Sequence, residues 1–191
     1  RTFIATRAIQ AGFTGMLFAD CRTTDDVRKC VQSVKLIPQG GINGIQYGRV
    51  MGYGIVRGQP VTLEEYVKYI DDIVIAIMIE SKSIADDIEQ ALSVPGIDMI
   101  QFGPSDFSIS IGRPGEGYKN PQITEAMERC YQVAKRKGIR IRAECEVEDM
   151  QKWIDLGCRD FCIGTDTATI RAWAQNTGKA IRETLQKANL V

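Results

Sequence analysis

Histidine is absent from all 191 residues of this chain. That absence excludes, within the chain, zinc sites that use imidazole, Ser-His-Asp triads and Cys-His dyads. It also leaves no side chain whose unperturbed pKa lies near neutrality. Any proton transfer by this chain would therefore need a carboxylate with a raised pKa or a metal-bound hydroxide.

An excess of charge of either sign is also missing, since 24 basic residues balance 24 acidic ones. Without a basic stripe we expect no nucleic-acid partner, and without a long apolar run we expect no membrane segment. No signal peptide is recognisable, so we expect a cytoplasmic protein. The chain begins at Arg1 rather than Met, which we interpret as the cut end of a longer sequence. The question of an N-terminal targeting segment therefore stays open.

The cysteines form no C-x-x-C pair of the kind found in zinc and redox sites. Four of the six fall within or beside apolar runs, which is typical of small buried side chains in a reducing cytosol. The six are Cys21, Cys30, Cys130, Cys145, Cys158 and Cys162.

What the chain does have is a repeated alternation of apolar strands and amphipathic helices. Five strands are predicted, over residues 13–20, 73–79, 97–102, 139–145 and 159–164. Four of them follow a helix-terminating glycine, namely Gly12, Gly96, Gly138 and Gly157. This alternation predicts an α/β fold with a parallel sheet and right-handed crossovers.

Five βα units fit two architectures: part of a (β/α)8 TIM barrel, which needs eight units, or a five-stranded doubly wound sheet. The chain lacks the G-x-G-x-x-G turn of a dinucleotide-binding sheet, and carboxylates follow successive strands. Both observations favour the barrel. We therefore expect residues 1–191 to form one barrel domain that lacks its N-terminal units.

The two central strands each end at a carboxylate. Glu80 directly follows the apolar run of residues 73–79, and Asp106 lies in the turn that ends the run of residues 97–102. Neighbouring strands lie about 5 Å apart, so both side chains could reach one ion. Oxygen ligands suit Mg²⁺ or Mn²⁺, and Mg²⁺ commonly takes only one or two carboxylates. The plainer interpretation is a pair of solvated or helix-capping acids. Between the strands, Ser83 and Asp86 have the spacing of a capping box.

Two segments, MIES and VPGIDMIQFGPSDFSISIG, resemble the metal-binding region of the HpcH/HpaI family. These are the class II pyruvate aldolases of the phosphoenolpyruvate/pyruvate barrel superfamily. The resemblance implies that Glu80 and Asp106 hold a divalent ion, Mg²⁺, Mn²⁺ or Co²⁺. It also implies that backbone amides around Gly103, Ser105 and Asp106 receive the carboxylate of pyruvate, in agreement with the affinity of helix-opening amides for anions.

The implied function is an aldolase that cleaves or forms 4-hydroxy-2-oxo acids through a pyruvate enolate, with pyruvate or another 2-oxo acid and an aldehyde as partners. The resemblance further implies a hexamer built from dimers that exchange the C-terminal helix. Its catalytic base and its enolate-stabilising arginine come from strands that would precede Arg1. We therefore assign no catalytic residue in this chain, and the aldehyde stays unspecified.

Several residues depart from the family pattern. Asn43 replaces the arginine of a GxRGxG motif, and Met78 replaces a glutamine. Ala19 replaces a proline and leaves Asp20 at a strand end, where a helix cap or a solvated acid is favoured over a site residue. The family arginine has no match in Arg140 or Arg142, whose side chains would face helices or solvent.

The glycine-rich stretch of residues 38–60 is long for a connection, and its interleaved apolar side chains predict an ordered loop rather than a linker. Those side chains are Ile42, Ile45, Tyr47, Val50, Met51, Tyr53 and Ile55.

Two other functions remain open: a citryl- or malyl-CoA-lyase-like enzyme, and a non-catalytic relative that binds a keto acid or only a partner subunit. The last predicted helix, residues 167–187, has an apolar face that must be buried, either on its own barrel or on a neighbouring subunit. That face contains Ile170, Trp173, Ala174, Ile181 and Leu185.

Overall fold

The structure, a computed structural model, describes residues 2–45, 48, 55–56, 59–162 and 164–190. Arg1, Tyr47, Val50, Met51 and Tyr53 lie outside these ranges. The interpretation of residues 38–60 as an ordered loop therefore stays a prediction for that part of the chain.

Helices and strands alternate through most of the described chain. The helices are α1 (Thr2–Gln10), α2 (Thr24–Gln32), α3 (Leu63–Asp71), α4 (Lys82–Asp86), α5 (Ile88–Ala91), α6 (Pro104–Ser110), α7 (Pro121–Arg136), α8 (Met150–Asp155) and α9 (Asp166–Lys187). The strands are β1 (Gly15–Phe18), β2 (Ile55–Val56), β3 (Gln59–Pro60), β4 (Val74–Ile79), β5 (Met99–Phe102), β6 (Arg140–Glu144) and β7 (Asp160–Cys162).

The strand order decides between the two predicted architectures. Five parallel strands form one sheet in the order β1-β4-β5-β6-β7, while β2 and β3 form a separate antiparallel pair. Each strand of the large sheet is hydrogen-bonded to the next sheet strand along the chain, without the order reversal of a doubly wound fold. The predicted barrel architecture is confirmed, and the sheet is the five-stranded part of one.

The two faces of this sheet have different chemistry. Ile77, Ile100 and Ile141 share one face and pack in the core beneath the helices. The opposite face carries Gln101 and Arg142, which are register partners, and the Arg142 guanidinium donates to the Gln101 side-chain oxygen. The Arg142 side chain therefore lies on the inner face of the barrel wall, on the side away from the helices.

Helix capping differs from the sequence prediction at α4. Thr23 and Thr62 each form a complete capping box at the start of α2 and of α3. The box predicted from Ser83 and Asp86 is wrong, because the N-cap of α4 is Ser81, two residues before Ser83. Asp86 instead forms ion pairs with Lys82 and Arg129 at the other end of the helix.

The C-terminal helix does not pack on the sheet to which it is joined. Within its described length α9 has no buried residue, and Ile170, Trp173 and Ile181 are 64%, 68% and 54% exposed. The predicted apolar face is therefore present but uncovered by the described residues. Both alternatives, packing on its own barrel and exchange with a neighbouring subunit, therefore stay predictions.

The cysteines are reduced and mostly internal. Cys21, Cys30, Cys130 and Cys158 are buried, whereas Cys145 and Cys162 are partly exposed. Burial raises the pKa of the Cys130 thiol to about 12, so it stays protonated near neutral pH. A search of the described helices finds none whose length and hydropathy would allow it to span a bilayer.

The burial of the helix-facing side of β5 can be tested by removing one side chain. Ile100→Ala should lower the free energy of unfolding by about 2–5 kcal/mol, because it leaves a cavity in a close-packed core. Ile37→Ala makes the same chemical change at a position that is 68% exposed and should change that free energy by no more than about 0.5 kcal/mol. Urea denaturation measures both, and equal losses would contradict this placement of β5.

Candidate active site

Three loops converge on a pocket of about 610 Å³ at the carboxyl edge of the sheet. They follow β1, β4 and β5, which are adjacent strands. In (β/α) barrels this edge carries the active site, because the loops after the strands meet there. The pocket is lined by Asp20, Arg22, Glu80, Ser81, Lys82, Ser83, Asp86, Asp106, Ile109 and Ser110.

Glu80 is the most buried acid of the pocket, with only 7% of its surface exposed. Its Oε1 accepts the backbone N–H of Asp20. No arginine or lysine of the described chain forms an ion pair with it. A buried carboxylate is costly unless a positive charge or several hydrogen bonds compensate it. The donor set at Glu80 therefore fits a divalent cation.

The contact between Asp20 and Glu80 depends on an unusual backbone conformation. Asp20 has φ 57°, in the left-handed region that Asp and Asn tolerate better than most residues. Thr23, and not Asp20, is the N-cap of α2. Asp20 is therefore not a helix cap. Its side chain is exposed, as expected of a solvated strand-end acid, while the residue also lines the pocket and donates its amide to Glu80.

Gly103 joins β5 to α6 directly beside Glu80. A Cβ at this position would lie 3.0 Å from the Glu80 Cβ and 3.3 Å from the Met78 Sδ. The Gly103 N–H donates to the Ile79 carbonyl at 2.9 Å, so this amide is already used within the protein. What Gly103 contributes to the site is space for the Glu80 side chain.

The first turn of α6 holds the other predicted site residues. Gly103 is the N-cap and offers no side chain, and Pro104 at the next position has no N–H. The amides of Ser105 and Asp106 follow, at positions where a helix supplies no internal acceptor. Asp106 lines the pocket, whereas Gly103 and Ser105 are not among the lining residues.

Two of the predicted ligands thus share one pocket. Glu80 and Asp106 approach it from the loops after neighbouring strands. Among the described residues, no group of three or more histidine, cysteine, aspartate or glutamate side chains is arranged to hold a metal ion. Two carboxylates are sufficient for Mg²⁺, which commonly keeps several water or substrate oxygens as its other ligands.

The sequence pattern of the HpcH/HpaI aldolase/citrate lyase family matches residues 1–172 of this chain. The chain belongs to that family. A relative named 5-keto-4-deoxy-D-glucarate aldolase, from Klebsiella pneumoniae, is 24% identical over 184 residues. This match covers 94% of the chain and 68% of the relative.

Solved structures support the same fold. The HpcH/HpaI aldolase from Desulfitobacterium hafniense superimposes with a TM-score of 0.82 at 24% identity, over 96% of this chain and 69% of that one. Macrophomate synthase superimposes with a TM-score of 0.80 at 21% identity, over 98% of this chain and 64% of that one. At these identities the structural likeness shows the barrel fold alone.

The departures from the HpcH/HpaI pattern have visible structural consequences. Asn43 is buried, and its Nδ2 donates to the Ser33 carbonyl at 2.7 Å and more weakly to that of Lys35 at 3.3 Å. It therefore ties the loop to the end of α2 and does not line the pocket. Met78 packs beside Gly103 and is not a lining residue of the pocket.

Sequence reasoning missed several pocket residues of this HpcH/HpaI member, among them two cations and a serine. Arg22 lines the pocket from the loop after β1, and Lys82 and Ser110 from α4 and α6. The Lys82 backbone N–H donates to the Ser110 Oγ at 2.9 Å, which joins the two loops. Their only signal in the sequence is a position within a few residues of a strand end or a turn.

The space at Gly103 can be tested by adding one methyl group. Gly103→Ala should lower the free energy of unfolding by about 1–3 kcal/mol, because the Glu80 side chain and Met78 must move. Gly44→Ala is the control, since a Cβ there meets nothing within 4 Å, and it should be neutral or slightly stabilising. Equal stability of both variants in urea would show that Glu80 does not pack against Gly103.

Proposed function

We propose that this protein is a divalent-metal-dependent aldolase that cleaves or forms 4-hydroxy-2-oxo acids through a pyruvate enolate. The observation that carries the proposal is the pair of carboxylates, Glu80 and Asp106, at the ends of adjacent strands in one pocket. Glu80 is nearly buried and has no cationic partner in the described chain. Membership of the HpcH/HpaI family supports the class of reaction.

In this proposal Glu80 and Asp106 hold the ion, which is Mg²⁺, Mn²⁺ or Co²⁺. Its chemical contribution when bound is Lewis acidity, which stabilises negative charge developing on a keto oxygen. The Asp20 amide keeps the Glu80 carboxylate oriented by its hydrogen bond. The amides of Ser105 and Asp106 receive the carboxylate of the 2-oxo acid, and Gly103 leaves room for Glu80.

Cleavage breaks the bond between C3 and C4 of the 4-hydroxy-2-oxo acid. The electron pair of that bond passes to the pyruvate fragment as an enolate, the C4 hydroxyl loses its proton, and C3 later takes one up. Lys82 lines the pocket but is paired with Asp86, so we give it no role as a base or a Schiff-base amine. We propose that the proton-transfer group and an enolate-stabilising arginine come from strands that precede Arg1.

The first prediction from this proposal concerns metal binding. Glu80→Gln and Asp106→Asn should each abolish Mn²⁺-dependent pyruvate binding, because each removes one anionic oxygen donor. Stability should change little or even rise without metal, since close carboxylates repel each other. Isothermal titration of the complete gene product with Mn²⁺ and then pyruvate provides the measurement.

Asp86→Asn is the matched control for these two variants. Asp86 lines the same pocket, but its carboxylate is paired with Lys82 and Arg129. This variant should therefore bind Mn²⁺ and pyruvate as the unmodified protein does. Unchanged metal affinity in Glu80→Gln or Asp106→Asn would overturn the assignment of the ligands.

A second prediction concerns turnover. With Mn²⁺, the complete gene product should release pyruvate from a 4-hydroxy-2-oxo acid, EDTA should stop the release, and added Mn²⁺ should restore it. We expect the 191 residues alone to bind the metal but to lack this turnover, because general acid–base catalysis contributes about 10²- to 10⁴-fold and no histidine is present.

The same assay separates the competing functions. Cleavage of a citryl- or malyl-CoA thioester without release of pyruvate from hydroxy-oxo acids would favour a CoA-dependent lyase. Binding of pyruvate without any turnover would favour a non-catalytic relative. Either outcome would contradict the aldolase proposal.

A further inference from the structure

We infer that Arg22 is a specificity-determining residue, which recognises an acidic group at the end of the substrate remote from the 2-oxo acid. The inference rests on the proposed function and adds to it the class of aldehyde, one that carries its own carboxylate. Arg22 lies two residues beyond Asp20 and lines the pocket that contains Glu80 and Asp106.

The first argument is the charge pairing inside the pocket. Its two cations are Arg22 and Lys82. Lys82 forms an ion pair with Asp86, which Arg129 also contacts. Among the ion pairs and side-chain hydrogen bonds of the described residues, the Arg22 guanidinium takes part in none. Arg22 is therefore the pocket cation that forms no ion pair with an acidic residue of the described chain.

The second argument is that the backbone of Arg22 is held in place. Its N–H donates to the Asp26 Oδ2 at 3.1 Å, and Thr23 next to it forms the capping box of α2 with the same Asp26. On the other side, the Asp20 N–H donates to Glu80. Two residues of chain span at most about 7 Å, so Arg22 starts close to the proposed metal ligand. A fixed backbone lowers the entropy that the side chain loses on binding.

The third argument is the chemistry of the remaining lining. Besides the charged residues, the pocket wall consists of serine hydroxyls and a single apolar side chain, Ile109, which is 63% exposed. Such a wall has few apolar side chains against which an aliphatic aldehyde could pack. A guanidinium offers two parallel N–H donors that match a carboxylate.

The fourth argument is the repulsion that an anion would meet without Arg22. Besides Glu80 and Asp106, which the ion would engage, and Asp86, which is paired with Lys82, Asp20 also lines the pocket. A second ligand carboxylate would be repelled by it unless a cation lies close by. Arg22 is the pocket residue that can supply this charge. Its removal should therefore weaken the binding of ligands that carry a second carboxylate.

The test uses two 2-oxo acids of equal length, 2-oxoadipate, which has a distal carboxylate, and 2-oxohexanoate, which has none. Isothermal titration of the Mn²⁺-loaded complete gene product at low salt measures both dissociation constants. The unmodified protein should prefer the diacid. Arg22→Gln should reduce that preference about fivefold, as expected for one solvent-accessible ion pair, without changing the affinity for 2-oxohexanoate.

Two further variants make the result specific. Arg28→Gln removes an exposed arginine of α2, which is paired with Asp25 and does not line this pocket, and should leave the preference unchanged. Arg22→Lys keeps the charge but loses the two-donor geometry, so it should retain part of the preference.

The failures are distinguishable. If the unmodified protein binds neither pyruvate nor either 2-oxo acid with Mn²⁺, the proposed function fails and the inference fails with it. If both ligands bind but Arg22→Gln keeps the preference for the diacid within about twofold, or if no preference exists at the outset, only the role of Arg22 is overturned.

Discussion

The candidate site depends on one close contact, the packing of the Glu80 side chain against Gly103. Because β4 and β5 are hydrogen-bonded in register from Ala76 with Met99 to Ile79 with Phe102, their ends are fixed side by side. A Cβ at position 103 would crowd the Glu80 Cβ at 3.0 Å, so glycine lets the Glu80 side chain keep its nearly buried position. That burial in turn makes a bound cation favourable, since a buried carboxylate needs compensation.

Much of this arrangement was predictable from the sequence, because the relevant signals are local. Apolar runs followed by carboxylates predict strand ends, and alternation of strands with helices predicts that those ends share one edge of the sheet. The capping threonines, Thr23 and Thr62, were equally readable because a capping box is formed within four residues. The match of residues 1–172 to the family agrees with this part of the prediction.

The remaining features depend on contacts between residues that are distant in the sequence. Asp20 could be recognised as a pocket residue only after β1 was paired with β4, since its amide reaches Glu80 across 60 positions. Ser83 and Asp86 have the spacing of a capping box, but Asp86 is drawn away by Lys82 and by Arg129 from α7. The apolar face of α9 was identified correctly, yet periodicity does not name the surface that covers it.

The central claim is that Glu80 and Asp106 bind one and the same ion. Anomalous diffraction at the manganese edge, from crystals of the complete gene product grown with Mn²⁺ and pyruvate, tests this most directly. The account predicts one peak about 2.0–2.3 Å from a carboxylate oxygen of Glu80 and from one of Asp106, with pyruvate oxygens among the other ligands. A peak bonded to only one of these carboxylates, or located outside this pocket, would contradict it.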